Sequence, residues 1–337
     1  MSLKAFICGS SGPELTDQER LFLRETRPCG LILFARNCVD PGQLRRLVED
    51  FRSAVGESSL MVLIDQEGGR VRRLKPPHWR KLPPARAFGE LHARAPSEAL
   101  EAAYLVARLT AQELAGLGIN VNCAPVLDIP TPGAHEIIGD RAYGSEPRIV
   151  ADLGRAVARG YLDGGVLPVM KHIPGHGRAG VDSHKSLPVI DANRQELARL
   201  DFKPFAELRD LPLAMTAHVL IPDIDAERPA SLSPAIIGEV IRDQIGFDGL
   251  LMCDDLSMGA LEGPVEQSAM EAISAGVDVA LHCNGDIGEM TRVAEVVPEL
   301  DARAMHRFEA AIAQIGKPKA FDEDRAKALL DKVVALA

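Results

Sequence analysis

Two neighbouring segments of the chain concentrate side chains that can transfer protons. Positions 171–177 read Lys-His-Ile-Pro-Gly-His-Gly after an apolar run, and positions 182–184 read Asp-Ser-His. An aspartate two residues before a histidine in an extended loop can bond the imidazole ring and fix its tautomer. We therefore predict that Asp182 and His184 act as an acid–base pair. The alternative is a solvated polar loop without chemistry, because glycine, aspartate and serine are ordinary loop residues.

Further polar residues, most of them ionisable, follow short apolar runs elsewhere in the chain. They are Asp65, Glu67, Arg70 and Arg73; Asn122 and Asp128; Lys171 and His172; His218; Asp254 and Asp255; and His282. Paired carboxylates with hydrogen-bonding neighbours suit sugar hydroxyls and an oxocarbenium-like transition state. We predict Asp254, a short acid at the end of an apolar run, as a nucleophile. Its neighbour Asp255 should point the other way and make structural hydrogen bonds.

A metal site is the main competing interpretation of the histidines. His172, His176 and His184 could be imagined as ligands. However, two histidines four positions apart share one face only on a helix, and here the loop is interrupted by proline and glycine. We therefore expect catalysis without a metal and without another cofactor.

Eight short apolar runs recur along the chain, most of them separated by segments with helical spacing. They cover positions 5–8, 30–34, 60–64, 119–126, 166–170, 213–216, 250–253 and 277–281. Strands that alternate with helices indicate βαβ units and a mainly parallel sheet. Eight such units favour a closed α/β barrel, a TIM-like (β/α)8 fold, over an open doubly wound sheet. The Gly-x-Gly-x-x-Gly turn of a dinucleotide-binding domain is absent after the first run. In a barrel, active-site residues lie at the carboxyl ends of the strands, so we expect the polar residues above to surround one pocket.

Several helix starts can be recognised between these runs. Positions 16–19, Thr-Asp-Gln-Glu, form a capping box, and Asp40 precedes a proline at the first helical position. Ser97 precedes a long helix that ends at about Gly116, and Ser233 precedes one that runs to Gly246. Residues from about 287 to 337 should form two or three helices packed outside the barrel. No linker divides the chain, so we predict a single domain over 1–337.

The net charge and the lengths of the apolar stretches limit the kinds of partner that the protein could bind. The 337 residues carry a formal net charge of −10, whereas nucleic acids and anionic membranes attract basic patches. No apolar stretch approaches the roughly 18 residues of a membrane span. We expect a small-molecule substrate, with neither a nucleic acid nor a membrane as partner. The oligomeric state is open, and a monomer is our expectation.

The amino terminus and the cysteines predict the compartment. The first residues lead directly into the first apolar run, without the longer apolar stretch of a signal peptide. None of the six cysteines forms a Cys-x-x-Cys pair, and several lie within apolar runs, where cysteine acts as a small hydrophobe. These features predict a cytoplasmic enzyme without structural disulfides.

Four segments together resemble the family-3 glycoside hydrolases, and in particular the single-domain bacterial β-N-acetylglucosaminidases of peptidoglycan recycling. They are positions 64–71 (Ile-Asp-Gln-Glu-Gly-Gly-Arg-Val), 122–128, 171–184 and 254–258 (Asp-Asp-Leu-Ser-Met). The resemblance covers roughly residues 5–285. It implies a TIM-like barrel and a retaining, two-step mechanism through a covalent glycosyl-aspartate.

The resemblance also implies roles for individual residues. Asp254 would be the nucleophile, and Asp182 with His184 would be the acid–base pair. The family's sugar-binding positions map to Asp65, Arg73, Arg141, Lys171 and His172. Two departures bear on specificity, since Ile173 replaces an expected phenylalanine and Cys253 replaces a serine or threonine. Glycines at 175, 177 and 180 would allow the loop that carries His184 to close over the sugar.

The implied reaction is hydrolysis of terminal, non-reducing β-linked N-acetylglucosamine, with muropeptide fragments or other amino-sugar glycosides as substrates. A phosphorylase with the same fold is the nearest alternative, because histidine as the acid–base group does not repel a phosphate acceptor as a carboxylate would. A β-glucosidase is less consistent, since such relatives usually carry a second domain and lack the Asp-x-His loop. A metal-dependent hydrolase and a non-catalytic binding barrel are the remaining alternatives.

Overall fold

The computed structural model describes residues 2–337 and contains eight parallel barrel strands. They are β1 (Lys4–Cys8), β2 (Pro28–Leu33), β3 (Met61–Ile64), β4 (Val121–Asn122), β5 (Leu167–Ile173), β6 (Leu213–Thr216), β7 (Leu250–Met252) and β8 (Ala280–His282). Each strand pairs in parallel with its neighbours in the chain, and β8 pairs with β1. A bridge between Met252 and Val279 joins β7 to the residue before β8 and closes the sheet. The predicted (β/α)8 barrel is confirmed.

Helices alternate with these strands and surround them. They are α1 (Asp17–Thr26), α2 (Pro41–Val55), α3 (Ala85–His92), α4 (Pro96–Ala115), α5 (Pro147–Asp163), α6 (Arg194–Arg199), α7 (Lys203–Glu207), a π-helix (Ile236–Gln244), α8 (Val265–Ala275), α9 (Ile287–Val296), α10 (Ala302–Ile312) and α11 (Glu323–Val334). Short 3-10 turns lie at Ala35–Asn37, Gly139–Arg141 and Ala230–Leu232. Every residue of β2, β3 and β5 is buried, as expected for a parallel sheet covered on both faces.

Two of the predicted helix caps form as expected, and two differ. Thr16 Oγ1 accepts a hydrogen bond from the Glu19 amide in a complete capping box, and Asp40 caps α2 ahead of its first-turn proline. By contrast, α4 begins at Pro96, before the predicted Ser97 cap, because proline suits the first helical position without a side-chain partner. Ser233 Oγ does accept from the Ile236 amide, but the helix that follows is π-helical.

The structure changes the predicted strand boundaries next to the site. The predicted strand at 119–126 is regular only over Val121–Asn122, since Pro125 has no amide hydrogen to donate to a ladder. Strand β5 extends beyond the predicted apolar run to Ile173, so Lys171 and His172 lie within the strand. Beyond β3 the chain forms a short hairpin, Gln66–Gly68 with Val71–Arg72, that the sequence did not predict.

Three helices follow the last strand. Helix α9 packs against α8 and α1 and completes the helical ring, α10 packs near β7, and α11 packs against α3 and α4. The assignment of the whole chain to one domain stays a prediction. Among residues 2–337, none of the helices has the length and apolar character needed to cross a membrane.

Candidate active site

A cleft of about 430 Å³ opens at the carboxyl ends of the barrel strands. Seven residues predicted from the sequence line it: Asp65, Arg73, Arg141, Lys171, His172, His184 and Asp254. The eighth, Asp182, lies behind His184 and accepts a hydrogen bond from its ring. Barrel closure therefore brings together residues from the ends of β3, β5 and β7 and from the segments that follow β3, β4 and β5. Their catalytic and binding roles stay predictions.

An ion-pair cluster on one side of the cleft is centred on Lys171. The Lys171 ammonium lies 2.7 Å from Asp65 Oδ1 and 2.7 Å from Glu67 Oε1. Arg73 Nη2 donates to the second oxygen of Asp65 at 2.9 Å. Arg141 makes a two-point contact with Glu67, at 2.8 and 2.9 Å. We refer to these five residues as the ion-pair cluster.

The electrostatics of the ion-pair cluster keep its carboxylates charged. Burial would raise the pKa of Glu67, but Arg141 and Lys171 outweigh it and lower the pKa to about 2. Burial likewise opposes ionisation of Asp65, and Lys171 with Arg73 holds its pKa well below the usual range. The same carboxylates overcome burial at Lys171 and raise its pKa. All five groups are therefore charged near neutral pH, and they present fixed donors and acceptors to a polar ligand.

Glu67 was expected among the polar residues around the pocket, but the sequence assigned it no role. The hairpin after β3 turns its side chain into the cleft. Gly68 and Gly69 have φ angles of 113° and 55°, and a Cβ on Gly68 would lie 2.1 Å from the Pro83 carbonyl oxygen. Only glycine fits such a turn without strain. The Gly-Gly pair was the signal available in the sequence.

The buried carboxylate of Asp128 orients His172. Asp128 was one of the polar residues noted after the apolar runs, but the sequence assigned it no role. The His172 Nδ1 lies 2.6 Å from Asp128 Oδ2, and its Nε2 lies 3.3 Å from Arg141 Nη2. Burial opposes ionisation of Asp128, but His172 lowers its pKa below the ordinary value. An ionised carboxylate only accepts, so Nδ1 of His172 carries the hydrogen and Nε2 faces the cleft as an acceptor when the ring is neutral.

Asp254 follows β7 and is partly exposed in the cleft. Its Oδ1 accepts a hydrogen bond from the Asp255 amide at 2.8 Å. Burial would raise the pKa of Asp254, but the neighbouring His172 and His218 lower it below the ordinary value. An ionised, accessible carboxylate at this position has the properties of a nucleophile.

Asp255 makes the structural hydrogen bonds expected of it, although it also lines the cleft and does not point away from it. It accepts from the Ser257 amide at 3.1 Å, the Ser257 hydroxyl at 2.7 Å and the Cys283 amide at 3.0 Å. Of the other strand-end histidines, His218 bonds Ser231 Oγ and the Asp255 carbonyl, and His282 bonds Glu289. Neither of these two histidines lines the cleft.

The acid–base loop, residues 178–186, lies beside the cleft after β5. His184 Nδ1 lies 2.9 Å from Asp182 Oδ1, and the His184 amide donates to the same oxygen at 3.0 Å. Burial opposes ionisation of Asp182, but these two hydrogen bonds lower its pKa below the ordinary value. The side chain of His184 is 63% exposed, so its Nε2 is free to meet a ligand from outside the barrel.

The histidines of this region do not converge on one point. His172 is bound to Asp128, His176 to Ser183 and His184 to Asp182. Across residues 2–337, no group of three or more His, Cys, Asp or Glu side chains is arranged to hold a metal ion. Catalysis without a metal stays a prediction.

Residues 9–317 match the family described as the glycosyl hydrolase family 3 N-terminal domain. The chain belongs to this family. The resemblance predicted from the four sequence segments is confirmed, and the protein is a glycoside hydrolase. A beta-hexosaminidase of Bordetella avium is 38% identical over 278 residues, which cover 81% of this chain and 79% of the relative. A beta-hexosaminidase of Thiobacillus denitrificans is 39% identical over 288 residues, covering 84% and 79%.

Solved structures of family members superpose on this glycoside hydrolase. NagZ from Neisseria gonorrhoeae, in complex with N-trifluoroacetyl-D-glucosamine, matches with a TM-score of 0.86 and 28% identity, covering 100% of this chain and 98% of that one. A family-3 β-N-acetylglucosaminidase from Paenibacillus matches with a TM-score of 0.87 and 31% identity, covering 100% and 69%.

Proposed function

We propose that this glycoside hydrolase is a retaining exo-β-N-acetylglucosaminidase that releases terminal, non-reducing β-linked N-acetylglucosamine. The observation that carries the proposal is the pairing of an ionised Asp254 in the cleft with an aspartate-bound His184 on the adjacent loop. The names of the relatives support the sugar, since two are beta-hexosaminidases and one structure holds an N-acylated glucosamine.

In the first step, a carboxylate oxygen of Asp254 attacks the anomeric carbon while the bond to the leaving oxygen breaks. The imidazolium of His184 gives its Nε2 proton to that oxygen, and the ring becomes neutral. Asp182 stabilises the imidazolium before transfer, as the aspartate of a catalytic triad does. The product of this step is a covalent glycosyl-aspartate and the free aglycone.

In the second step, neutral His184 takes a proton from water as the water oxygen attacks the anomeric carbon. The bond to Asp254 breaks, its carboxylate is restored, and the sugar leaves with the β configuration it entered with. An imidazole ring exists in a protonated and a neutral form, so one ring can give a proton in the first step and take one in the second.

The ion-pair cluster is proposed to bind the sugar hydroxyls. Asp65 retains acceptor capacity beyond its contacts with Lys171 and Arg73, because a carboxylate accepts about four hydrogen bonds. His172 Nε2 and the Arg141 guanidinium lie side by side and offer an acceptor and a donor. Buried charged groups that are already paired need no rearrangement when the sugar enters.

Peptidoglycan turnover fragments in the cytoplasm are the proposed source of substrate. All six cysteines are free thiols, and five of them are buried, which fits a reducing compartment. A monomer suffices for this activity, because the residues proposed for catalysis all come from one chain.

The test is release of nitrophenol from the β-N-acetylglucosaminide and from the β-glucoside, each with and without phosphate and EDTA. Preference for the acetamido sugar, unchanged by either addition, is the expected result. Stimulation by phosphate with a sugar phosphate as product would make the enzyme a phosphorylase, for which the histidine at the acid–base position is the favourable observation. Loss of activity with EDTA would contradict metal-free catalysis.

A further inference from the structure

Ser183 is the one fully buried residue in the segment 180–187, although it lies between Asp182 and the exposed His184. Its hydroxyl lies 3.0 Å from Nε2 of His176, a buried residue in the wall of the cleft. Within the described chain, this is the one side-chain hydrogen bond that joins residues 180–186 to the rest of the protein. The two residues that carry the proposed acid–base pair therefore flank an inward-pointing anchor.

The backbone of His176 is held by the buried carboxylate of Asp128. Its amide donates to Asp128 Oδ1 at 2.7 Å, while Oδ2 of the same carboxylate bonds the His172 ring. Asp128 thus connects the proposed sugar-binding histidine to the histidine that contacts the acid–base loop. The path His172–Asp128–His176–Ser183 is continuous, and every residue in it is buried.

The ring of His176 is suited to a neutral hydrogen bond and not to proton transfer. Burial, reinforced by His172, lowers its pKa to about 4. A neutral imidazole has one donor and one acceptor nitrogen, so Nε2 and the Ser183 hydroxyl are complementary in either tautomer. The second nitrogen, Nδ1, is buried without a hydrogen-bond partner, and the ring therefore makes this single side-chain hydrogen bond.

We propose that His176 and Ser183 form a latch that positions the Asp182–His184 pair for protonation of the leaving oxygen. The proposal rests on the proposed function of that pair. In this view neither latch residue touches the reacting atoms, and both act through the placement of His184. Misplacing a catalytic group by about 1 Å can cost on the order of 100-fold in rate.

Other contacts also hold the loop, but none of them involves the Ser183 hydroxyl. Arg178 pairs with Asp201 at 2.9 Å and fixes the start of the loop. In the centre of the loop, the Gly259 and Ala260 amides donate to the carbonyls of His184 and Ser183. These backbone contacts guide the path of the chain but do not depend on the Ser183 hydroxyl.

The first test compares Ser183→Ala with Ser186→Ala, an exposed serine on the same loop. We expect Ser183→Ala to lower kcat/KM for chitobiose, whose leaving oxygen needs a proton, by roughly 10- to 100-fold. For the nitrophenyl glycoside, which needs little protonation, the loss should stay within about 3-fold. Ser186→Ala should match wild type on both substrates. Equal losses on both substrates would overturn the latch.

A double variant tests whether the two residues act together. If the hydroxyl acts through His176, adding Ser183→Ala to His176→Gln should cost less than about 2-fold more on chitobiose. A full, independent loss in the double variant would show that Ser183 acts elsewhere and would overturn the proposal.

Hydrogen exchange followed by mass spectrometry tests the latch without any substrate. Exchange of the peptide covering 178–186 should accelerate in Ser183→Ala and stay at the wild-type rate in Ser186→Ala. Unchanged exchange in Ser183→Ala would overturn the latch. If wild type hydrolyses neither N-acetylglucosaminide, the proposed function fails, and this exchange experiment still decides whether the hydroxyl holds the loop.

Discussion

Lys171 and His184 represent two regions of the cleft that hold ionisable side chains in different ways. The Lys171 side chain is 3% exposed and contacts two carboxylates, whereas His184 is 63% exposed and contacts one. Lys171 lies within a barrel strand that is paired on both sides, while His184 lies on the acid–base loop. The contrast matches the tasks proposed for the two regions. A sugar-binding surface gains from rigidity, and a group that donates and then accepts a proton needs access to solvent.

The largest expected effect comes from Asp254, which directly follows β7 of the barrel and does not belong to the exposed acid–base loop. We predict that Asp254→Ala lowers turnover of the β-N-acetylglucosaminide by about 10⁴-fold or more, because no carboxylate remains to form the glycosyl intermediate. Steady-state kinetics measure the loss, and thermal unfolding checks that the variant is folded. Full activity in this variant would move the nucleophile to another residue.

The second largest effect tests the role of His184 on the exposed acid–base loop. We predict that His184→Ala lowers kcat/KM for chitobiose by about 10²- to 10⁴-fold and has a much smaller effect on the nitrophenyl glycoside. The difference arises because only the first leaving group requires protonation. A series of leaving groups of increasing pKa measures the trend. Similar losses across the series would argue against an acid role for His184.

Loss of a carboxylate from the ion-pair cluster should destabilise the fold more than loss of the carboxylate on the acid–base loop. We predict that Glu67→Ala lowers the free energy of unfolding by about 3 kcal/mol, since it leaves buried Lys171 and Arg141 without a shared partner. Removing Asp182, whose histidine partner is largely exposed, should cost less than about 1 kcal/mol. Urea unfolding at pH 7 measures both. Equal losses of unfolding free energy would contradict the contrast drawn between the ion-pair cluster and the acid–base loop.

The smallest effect is the pH dependence of stability that Glu67 contributes. Folding lowers the pKa of Glu67 from its ordinary value of 4.5 to about 2, so its stabilising effect is complete above the ordinary value and is lost as the pH falls towards 2. Glu67→Gln should therefore show a flatter decline in unfolding free energy between about pH 5 and pH 3 than wild type. Urea unfolding at several pH values in this range measures the slope. Parallel curves would contradict a charged Glu67 in the cluster.

Much of the fold, and several of the site residues, could be predicted from short-range patterns in the sequence. The eight apolar runs identify the strands, and Asp65, Lys171, His172 and Asp254 stand out because each follows one of these runs. The capping box at Thr16 and the cap at Asp40 form because their hydrogen bonds involve only near neighbours in the chain. Arg141 is different, because no run or cap marks it and only the family resemblance identified it.

Other features depend on distances along the chain that no local pattern encodes. Lys171 meets Asp65 across 106 residues, and Arg141 meets Glu67 across 74. The sequence did not predict the partners of Glu67, because the hairpin after β3 sets the direction of its side chain. The contact of Ser183 with His176 likewise requires the acid–base loop to fold back onto the cleft.

The sequence by itself determined the (β/α)8 class, the order of the strands and which polar residues stand at their ends. Hydrophobic periodicity and short-range caps act within a few residues, so they can be read without the fold. The tertiary structure alone decided the partner of each of those residues, and hence which charges are held rigidly and which are exposed. Barrel closure fixes these partners, because it brings strand ends and the loops between them to one face of the molecule.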